Sequence, residues 1–397
     1  MTTPYQKSSF ESRITWDGVP IHTVPQSRNP LVVWVFSSEA PPFPRGGLAR
    51  HIDRLARYLI HRGHRVRVVV PYPLSVGTNP DSTGPDRQNR LPYEIWDVKD
   101  LPQVLPDFLE NSVVHVHDPA LWESARDFSK RQGVPLIVTW HTLYGSWIRA
   151  LSDIPNVHLI DEERRMIQES RHQIWVSHYL LNQARDLHGP LNFRHRVIGS
   201  GISFPEINGA HLQRGFPDVL FLGRLEPEKG IDWLFMGLFD LIGHNPDLQV
   251  VICGNGSWHR TLQQEIHTHG WQHQVHAVGM VGDEELTQYI MTAKMAVLPS
   301  RFEPFGLSAL ETMGSGLATI LGPAPGFREF AIPGQNCVVV ESPDELSRAI
   351  QWLLDSPDRR KKLAASAQNL AGPWHWSRIG SQIEYEYQWA LDDNRKK

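Results

Sequence analysis

Residues 300–316 read SRFEPFGLSALETMGSG, with Glu303 and Glu311 eight positions apart around a Pro-Phe-Gly break. Pro304 and Gly306 interrupt the chain, and the apolar run after them predicts a helix from Leu307 to Met313. The first turn of a helix carries N–H groups with no intrahelical partner, here around Gly306, Leu307 and Ser308, and these suit an anion. Glu303 lies just before that helix end and Glu311 lies one turn further in. A phosphate held on the helix end would bring attached sugars within reach of two carboxylates, which accept hydrogen bonds from hydroxyls. The competing reading is one acid favouring the helix dipole and a second acid in solvent. It accounts weakly for Glu303 and gives no reason for the Pro-Phe-Gly.

A second stretch, FLGRLEPEKG (221–230), places Arg224 and Lys229 on a loop between a strand and a helix. Two positive groups five apart, one of them a planar fork, can clamp a diphosphate. Taken alone, the loop is read more simply as solvated pairs with Glu226 and Glu228. In PRGGLARH (44–51), Gly46 and Gly47 stand directly before a helix and permit close backbone approach to a ligand; a helix entry needing unusual dihedrals is the alternative. HVHDP (115–119) and TWHTLYGSW (139–147) place His117, Asp118 and His141 at strand ends. Trp140, Tyr144 and Trp147 offer rings for stacking on an acceptor sugar, with core packing as the equal alternative.

Several chemistries lack their residues. GNGSWH (254–259) follows a strand, but no glycine closes a G-x-G-x-x-G pattern, so hydride transfer with a dinucleotide is unsupported. There is no P-loop, C-x-x-C or H-E-x-x-H. The pairs His61/His64 and His273/His276 have ligand spacing, but chance pairs are expected among 20 histidines, and no metal site is assigned. D-x-D, which holds a divalent ion against a diphosphate, is also missing. Neutralising charge would then come from Arg224, Lys229 and helix ends.

The elements that must position these residues alternate along the chain. LVVWVF (31–36) is a continuous apolar run of the kind buried on both faces of a parallel sheet. LARHIDRLARYLIHRGH follows as a helix and RVRVVV (65–70) as a strand, completing a βαβ unit. VVHVH (113–117), PLIVTW (135–140), QIWVS (173–177) and RVIG (196–199) continue the strands. Residues 75–90 predict a loop and 203–217 a linker. The alternation restarts at DVLFLG (218–223) and runs through LQVVICG, QVHAVG and MAVLPS to NCVVV (336–340). The expected fold is α/β: two doubly wound Rossmann-like domains facing across a cleft, with ligands beyond the carboxyl ends of the strands. The expected boundaries are an extension at 1–30, an acceptor-binding domain at 31–203, a donor-binding domain at 204–375 and a terminal helix at 376–397.

With 397 residues, 41% hydrophobic and 21% charged, the chain has the composition of a globular protein with sizeable cores. Its net charge of −4, with both signs mixed, advertises no nucleic-acid partner. No apolar run reaches membrane-spanning length, and no basic amphipathic helix is compelling, so any membrane contact is expected to be peripheral. Residues 1–30 lack the apolar segment of a signal peptide. Cys253 and Cys337, each in an apolar run, fit a buried inert role in a reducing cytoplasm.

In order along the chain, GGLARHI, HVHDP, TWHT, VSHYL, GRLEPEKG, GNGS, VGMVGDEEL and PSRFEPFGLSALE resemble the retaining, metal-independent glycosyltransferases of family 4, which have the GT-B fold. The last stretch is similar to that family's E-x7-E motif. The resemblance implies that Arg224 and Lys229 bind the donor diphosphate and that Glu303 meets hydroxyls of the transferred sugar. It implies further that backbone around Phe305, Gly306 and Leu307 holds sugar and phosphate, and that Glu311 binds the ribose. Met280 and Val281 would meet the base, Gly254 and Asn255 would lie nearby, and Gly46 and Gly47 would approach the phosphate. His141 would sit near the transferred sugar, and Asp118 would help orient the acceptor. The terminal helix would cross back onto the first domain. The implied partners are a nucleotide-sugar donor, UDP-glucose by default, and a saccharide or small-molecule acceptor, with no cofactor and no metal. Two departures stand out: Ser200 replaces an Asn in IGSGIS, and Arg45 stands where glycogen and starch synthases carry a Lys. An ADP-glucose-dependent α-glucan synthase, a nucleotide-sugar 2-epimerase and a non-catalytic relative are the competing expectations.

Overall fold

The computed structural model describes residues 15–16, 19–20, 26–27, 29–40, 46–71, 91–104, 111–145, 157–191, 193–203 and 217–396. Most of the N-terminal extension, the 75–90 loop, nearly all of the 203–217 linker, Arg45 and Trp147 lie outside them. Thr15–Trp16 and Val19–Pro20 form a two-residue antiparallel ladder.

Among the described residues the first sheet holds seven strands: β1 (Val32–Phe36), β2 (Arg65–Val70), β3 (Glu94–Asp97), β4 (Ser112–Val116), β5 (Leu136–Trp140), β6 (His172–Trp175) and β7 (Arg194–Val197). Every pairing is parallel, in the order β3-β2-β1-β4-β5-β6-β7. Val33, Trp34, Val35 and Phe36 of β1 are completely buried, as a continuous apolar strand with helices on both faces requires. Between strands run α1 (Gly47–His61), α2 (Trp122–Gln132), α3 (Val157–Glu169) and α4 (His178–His188). The helical spacing of the α1 apolar residues is realised: Ile52, Leu55 and Leu59 are fully buried.

β3 has no apolar run to announce it. It is a four-residue strand, EIWD, at the edge of the sheet; among the described residues it pairs only with β2, and it is mostly half-exposed. Its Glu94 faces Arg67 of β2, Nε to Oε2 at 3.0 Å, so a cross-strand ion pair stands where core apolar residues would otherwise be read.

The second sheet repeats the pattern with β8 (Val219–Leu222), β9 (Val250–Cys253), β10 (Val275–Gly279), β11 (Met295–Leu298), β12 (Thr319–Leu321) and β13 (Val338–Val339). Its order is β10-β9-β8-β11-β12-β13, again all parallel. The helices are α5 (Ile231–His244), α6 (His259–Thr268), α7 (Asp283–Thr292), α8 (Leu307–Gly314), α9 (Pro343–Leu354) and α10 (Pro357–Ala371). Both sheets are therefore doubly wound, with the strand order reversing between β1 and β4 in one and between β8 and β11 in the other.

The terminal helix, α11 (Trp376–Arg395), returns to the first sheet and packs on α1. Ile379, Ile383 and Tyr387 enter the core that holds Leu55, Leu59 and Val68. Polar seams fix its register. Arg62 grips Glu384 with Nε and Nη2 at 2.8 and 3.1 Å, and Arg194 grips Glu386 with two bonds of 3.0 Å. Burial would raise the Glu384 carboxyl, but bonds from His64 and Arg62 outweigh it and hold the group at about 2. The chain leaving the first sheet and the chain returning to it run side by side. Ile202 N–H donates to Trp374 at 2.9 Å, and Trp376 N–H donates to Ile202 at 3.1 Å.

Candidate active site

In a doubly wound sheet the loops at the strand-order reversal splay apart and leave a crevice. Here the loops at and beside both reversals carry polar residues, many of them singled out above. From the first sheet, β1 is followed by Ser37–Glu39, β4 by His117 and Asp118, and β5 by His141. From the second, β8 is followed by Arg224, and β11 by Ser300 and Glu303.

The second-sheet half forms a compact charged cradle. Lys229 Nζ lies 2.6 Å from Glu303 Oε1, joining residues 74 positions apart. Ser300 Oγ donates to the same oxygen at 3.3 Å. Lys229 ends a short 3-10 turn, Pro227–Lys229, which positions it at the entry to α5. Arg224 Nη2 meets the buried Glu228 at 2.9 Å but is itself half exposed, so its guanidinium keeps donors for a ligand. That pair is the loop pairing the sequence allowed, and Glu226 turns instead to Ser257.

Gly306 caps α8 with φ 99° and no capping side chain, leaving the first N–H groups of that helix unclaimed by a cap. A Cβ on Gly306 would stand 2.4 Å from the Phe327 ring, so glycine is required on steric and dihedral grounds. Phe305 is buried against Phe330 and Trp374, which fixes the backbone between Glu303 and Leu307. Gly254, at φ 140°, sits so close to the Gly223 carbonyl that a Cβ would lie 1.8 Å from it. The Asn255 carbonyl accepts from Leu225 N–H at 2.9 Å, tying that loop to the Arg224 loop. Met280 is exposed and Val281 half-buried on the loop between β10 and α7.

Glu311 differs most from the role the resemblance implies. It is buried and faces the other domain, where Arg54 Nη1 meets Oε1 at 2.6 Å and Arg50 Nη1 meets Oε2 at 3.0 Å. Burial raises its pKa, but the two α1 guanidiniums outweigh that and hold it below the usual carboxylate range. A ribose reaching this carboxylate must share it with two arginines. Arg50 and Arg54 were not read as site residues, although their i, i+4 spacing puts them on one face of α1.

The first-sheet half is rich in imidazole. His141 is half-buried at the end of β5, and its Nε2 lies 2.9 Å from His117 Nδ1. His51 of α1 packs edge-on against His141 with ring centroids 4.7 Å apart. Burial lowers His141 to about 4 and His51 and His117 well below the ordinary histidine value, so all three are neutral at pH 7. Asp118 accepts from Ser38 Oγ and from Ala120 N–H, and burial still raises its pKa. Glu39, absent from the sequence reading, is raised by burial and by Asp118 and lowered by Arg224 across the cleft. It also stands over Gly46, the residue preceding α1, where a Cβ would lie 2.5 Å from its Oε2; Gly47 has open space. Tyr144 is half-buried, with its N–H donating to Glu163. Of the two readings open for Trp140, the structure shows core packing: the ring is 1% exposed and lies on Trp175 at 5.2 Å. β5 is an interior strand with Ile137 to Trp140 all buried, so its last residue packs in the core.

Comparison with known proteins decides the family. Residues 45–204 match the family model described as Glycosyltransferase Family 4, and residues 205–370 match that of Glycosyl transferases group 1. The chain belongs to the family 4 glycosyltransferases. Among curated relatives is a glycogen synthase of Mycobacterium tuberculosis, 27% identical over 392 residues, covering 89% of this chain and 94% of the relative. A D-inositol 3-phosphate glycosyltransferase of Streptosporangium roseum is 27% identical over 340 residues, covering 76% and 77%. Among solved structures, Anabaena HepE in complex with UDP-glucose superposes with a TM-score of 0.73 at 17% or lower identity, 16% in this complex, covering 90% of this chain and 99% of that one. At that identity the likeness is one of fold, and it places this glycosyltransferase among GT-B proteins.

Proposed function

We propose that the chain transfers a hexose from a nucleotide diphosphate sugar, UDP-glucose by default, to a hydroxyl of a saccharide or small-molecule acceptor, with retention of anomeric configuration. The observation that carries this reading is the cradle at the second strand-order reversal. Lys229 and Glu303 are in contact at 2.6 Å beside the uncapped N-terminus of α8, with Arg224 on the same loop as Lys229. The charge that develops in such a transfer is that of a departing diphosphate. Lys229, Arg224 and the α8 N–H groups are fixed donors for it, oriented before the reaction begins. Glu303 is an acceptor for hydroxyls of the transferred sugar, and Lys229 holds it in place in the absence of donor.

In this mechanism the departing phosphate oxygen takes the acceptor proton on the face it leaves. His141 and Asp118 orient the acceptor from the opposite domain. Closure of the cleft excludes water and limits hydrolysis. The side-by-side crossings at Ile202 and Trp374–Trp376 are suited to act as the hinge.

The mycobacterial glycogen synthase supports a second reading, an ADP-glucose donor and an α-glucan acceptor. A panel of UDP- and ADP-sugars separates the two, read as ligand-dependent thermal shift and as release of nucleoside diphosphate. The proposal expects saturable stabilisation by one donor class and product formation only with an acceptor added. Epimerised sugar from donor alone would replace it with the 2-epimerase reading.

A further inference from the structure

The three neutral imidazoles at the first strand-order reversal are not explained as core filling. His51 is 2% exposed, and among the described residues neither its Nδ1 nor its Nε2 has a hydrogen-bond partner. His117 is equally buried and its Nε2 is also unpartnered. An orphaned buried polar atom costs about 1–3 kcal/mol, so three in one cluster are a penalty that an apolar side chain would avoid. The one satisfied contact is between His117 Nδ1 and His141 Nε2.

The positions of these nitrogens supply the reason. One ring nitrogen from each of His51, His117 and His141 lies within 4.8 Å of the other two. Zinc–imidazole bonds of about 2.0–2.1 Å in tetrahedral geometry set nitrogens roughly 3.4 Å apart. The three come from separate rigid elements: α1, the end of β4 and the end of β5. His141 is half-buried whereas His51 and His117 are buried, so the open position is assigned to the His141 side of the cluster.

We infer that His51, His117 and His141 form a binding site for one divalent cation of the zinc type, with three imidazole ligands and one open position. The chemistry of the donor set selects among ions: three neutral nitrogens and no carboxylate suit Zn2+ or Co2+ and not Mg2+ or Ca2+. A bound ion takes one nitrogen from each ring and so gives a partner to one of the two unpartnered nitrogens of His51. It engages the imidazole that the proposed transfer uses to orient its acceptor, and it lies on the first sheet, not on the diphosphate cradle. This inference does not rest on that transfer.

The test uses the full chain stripped with a chelator, with no donor or acceptor present. Calorimetric titration with Zn2+ is expected to give one saturable site per chain, and Mg2+ none. His51→Gln and His117→Gln, checked for folding by circular dichroism, are each expected to weaken Zn2+ binding at least tenfold. On the unaltered chain, Co2+ is expected to develop the intense visible bands of a four-coordinate ion, which needs no variant to fold. Absence of saturable Zn2+ binding overturns the inference. So does undiminished affinity in both folded variants, which would locate the ion on other histidines, and so does a Co2+ spectrum that stays weak and octahedral.

Discussion

At the scale of residues, two contacts carry the account, and each is a pair the sequence places far apart. Lys229 and Glu303 meet although 74 positions separate them. Replacing either with Ala leaves a surface cleft lined by polar groups, so the fold is expected to persist. Loss of a preorganised charge at the leaving group is expected to lower turnover by roughly 10²–10³-fold, measured as nucleoside diphosphate release at saturating acceptor. The second pair is Glu311 with Arg50 and Arg54. Glu311→Gln leaves two guanidiniums facing a neutral amide; it is expected to destabilise the chain by roughly 3 kcal/mol, the low end for breaking a buried pair, because both arginines reach water. Denaturant unfolding measures it, and an unchanged midpoint would contradict the importance given to that contact. Glu303 and Lys229 were legible as an acid before a helix end and a base on a charged loop, and the roles proposed for them come from the family resemblance. The arginines on Glu311 were not, because nothing local in GGLARHIDRLAR says which face of α1 meets the other domain.

At the scale of elements, the cradle depends on how α8 begins. The Pro-Phe-Gly break was visible as a chain interruption, and the helix from Leu307 follows it as expected. The physical need for Gly306 came only from the structure: φ 99° and the Phe327 ring leave no room for a Cβ. Gly306→Ala is expected to distort the first turn of α8 and weaken donor binding more than it lowers overall stability. Parallel measurement of donor-induced thermal shift and of denaturant midpoint checks this. Equal losses in both would assign the glycine to folding alone. Continuous apolar strands such as β1 were legible because parallel sheets bury both faces. The edge strand β3 was not, since its burial is partial and its ladder is closed by Arg67 and Glu94. For Trp140 the sequence left cleft stacking and core packing both open, and its place on a strand buried from Ile137 onward decides for the core.

At the scale of the whole molecule, two doubly wound sheets are held together by α11 and by ion pairs across the cleft. Acid acts on all of them in one direction. His141, at about 4, and His115, at about 3, are depressed by burial below the usual histidine value, as are His51 and His117. The unfolded chain therefore binds more protons than the folded one once pH falls below about 6.5, and stability declines from there. Glu384, held at about 2, and Glu311, also lowered, contribute stability above the unfolded carboxylate value that is lost as pH falls through their folded values. The melting temperature is thus expected to fall first between about pH 6.5 and 4, and again below the carboxylate range. A profile flat from pH 7 to 4 would contradict the buried neutral imidazoles. The central claim is that the cleft holds a nucleotide sugar through Lys229 and Glu303. Its most direct test is donor-dependent release of UDP or ADP, with acceptor, by the unaltered chain and by Lys229→Ala and Glu303→Ala. The account predicts release by the unaltered chain with one donor class and loss of most of it in both folded variants; near-normal turnover by both variants would contradict it.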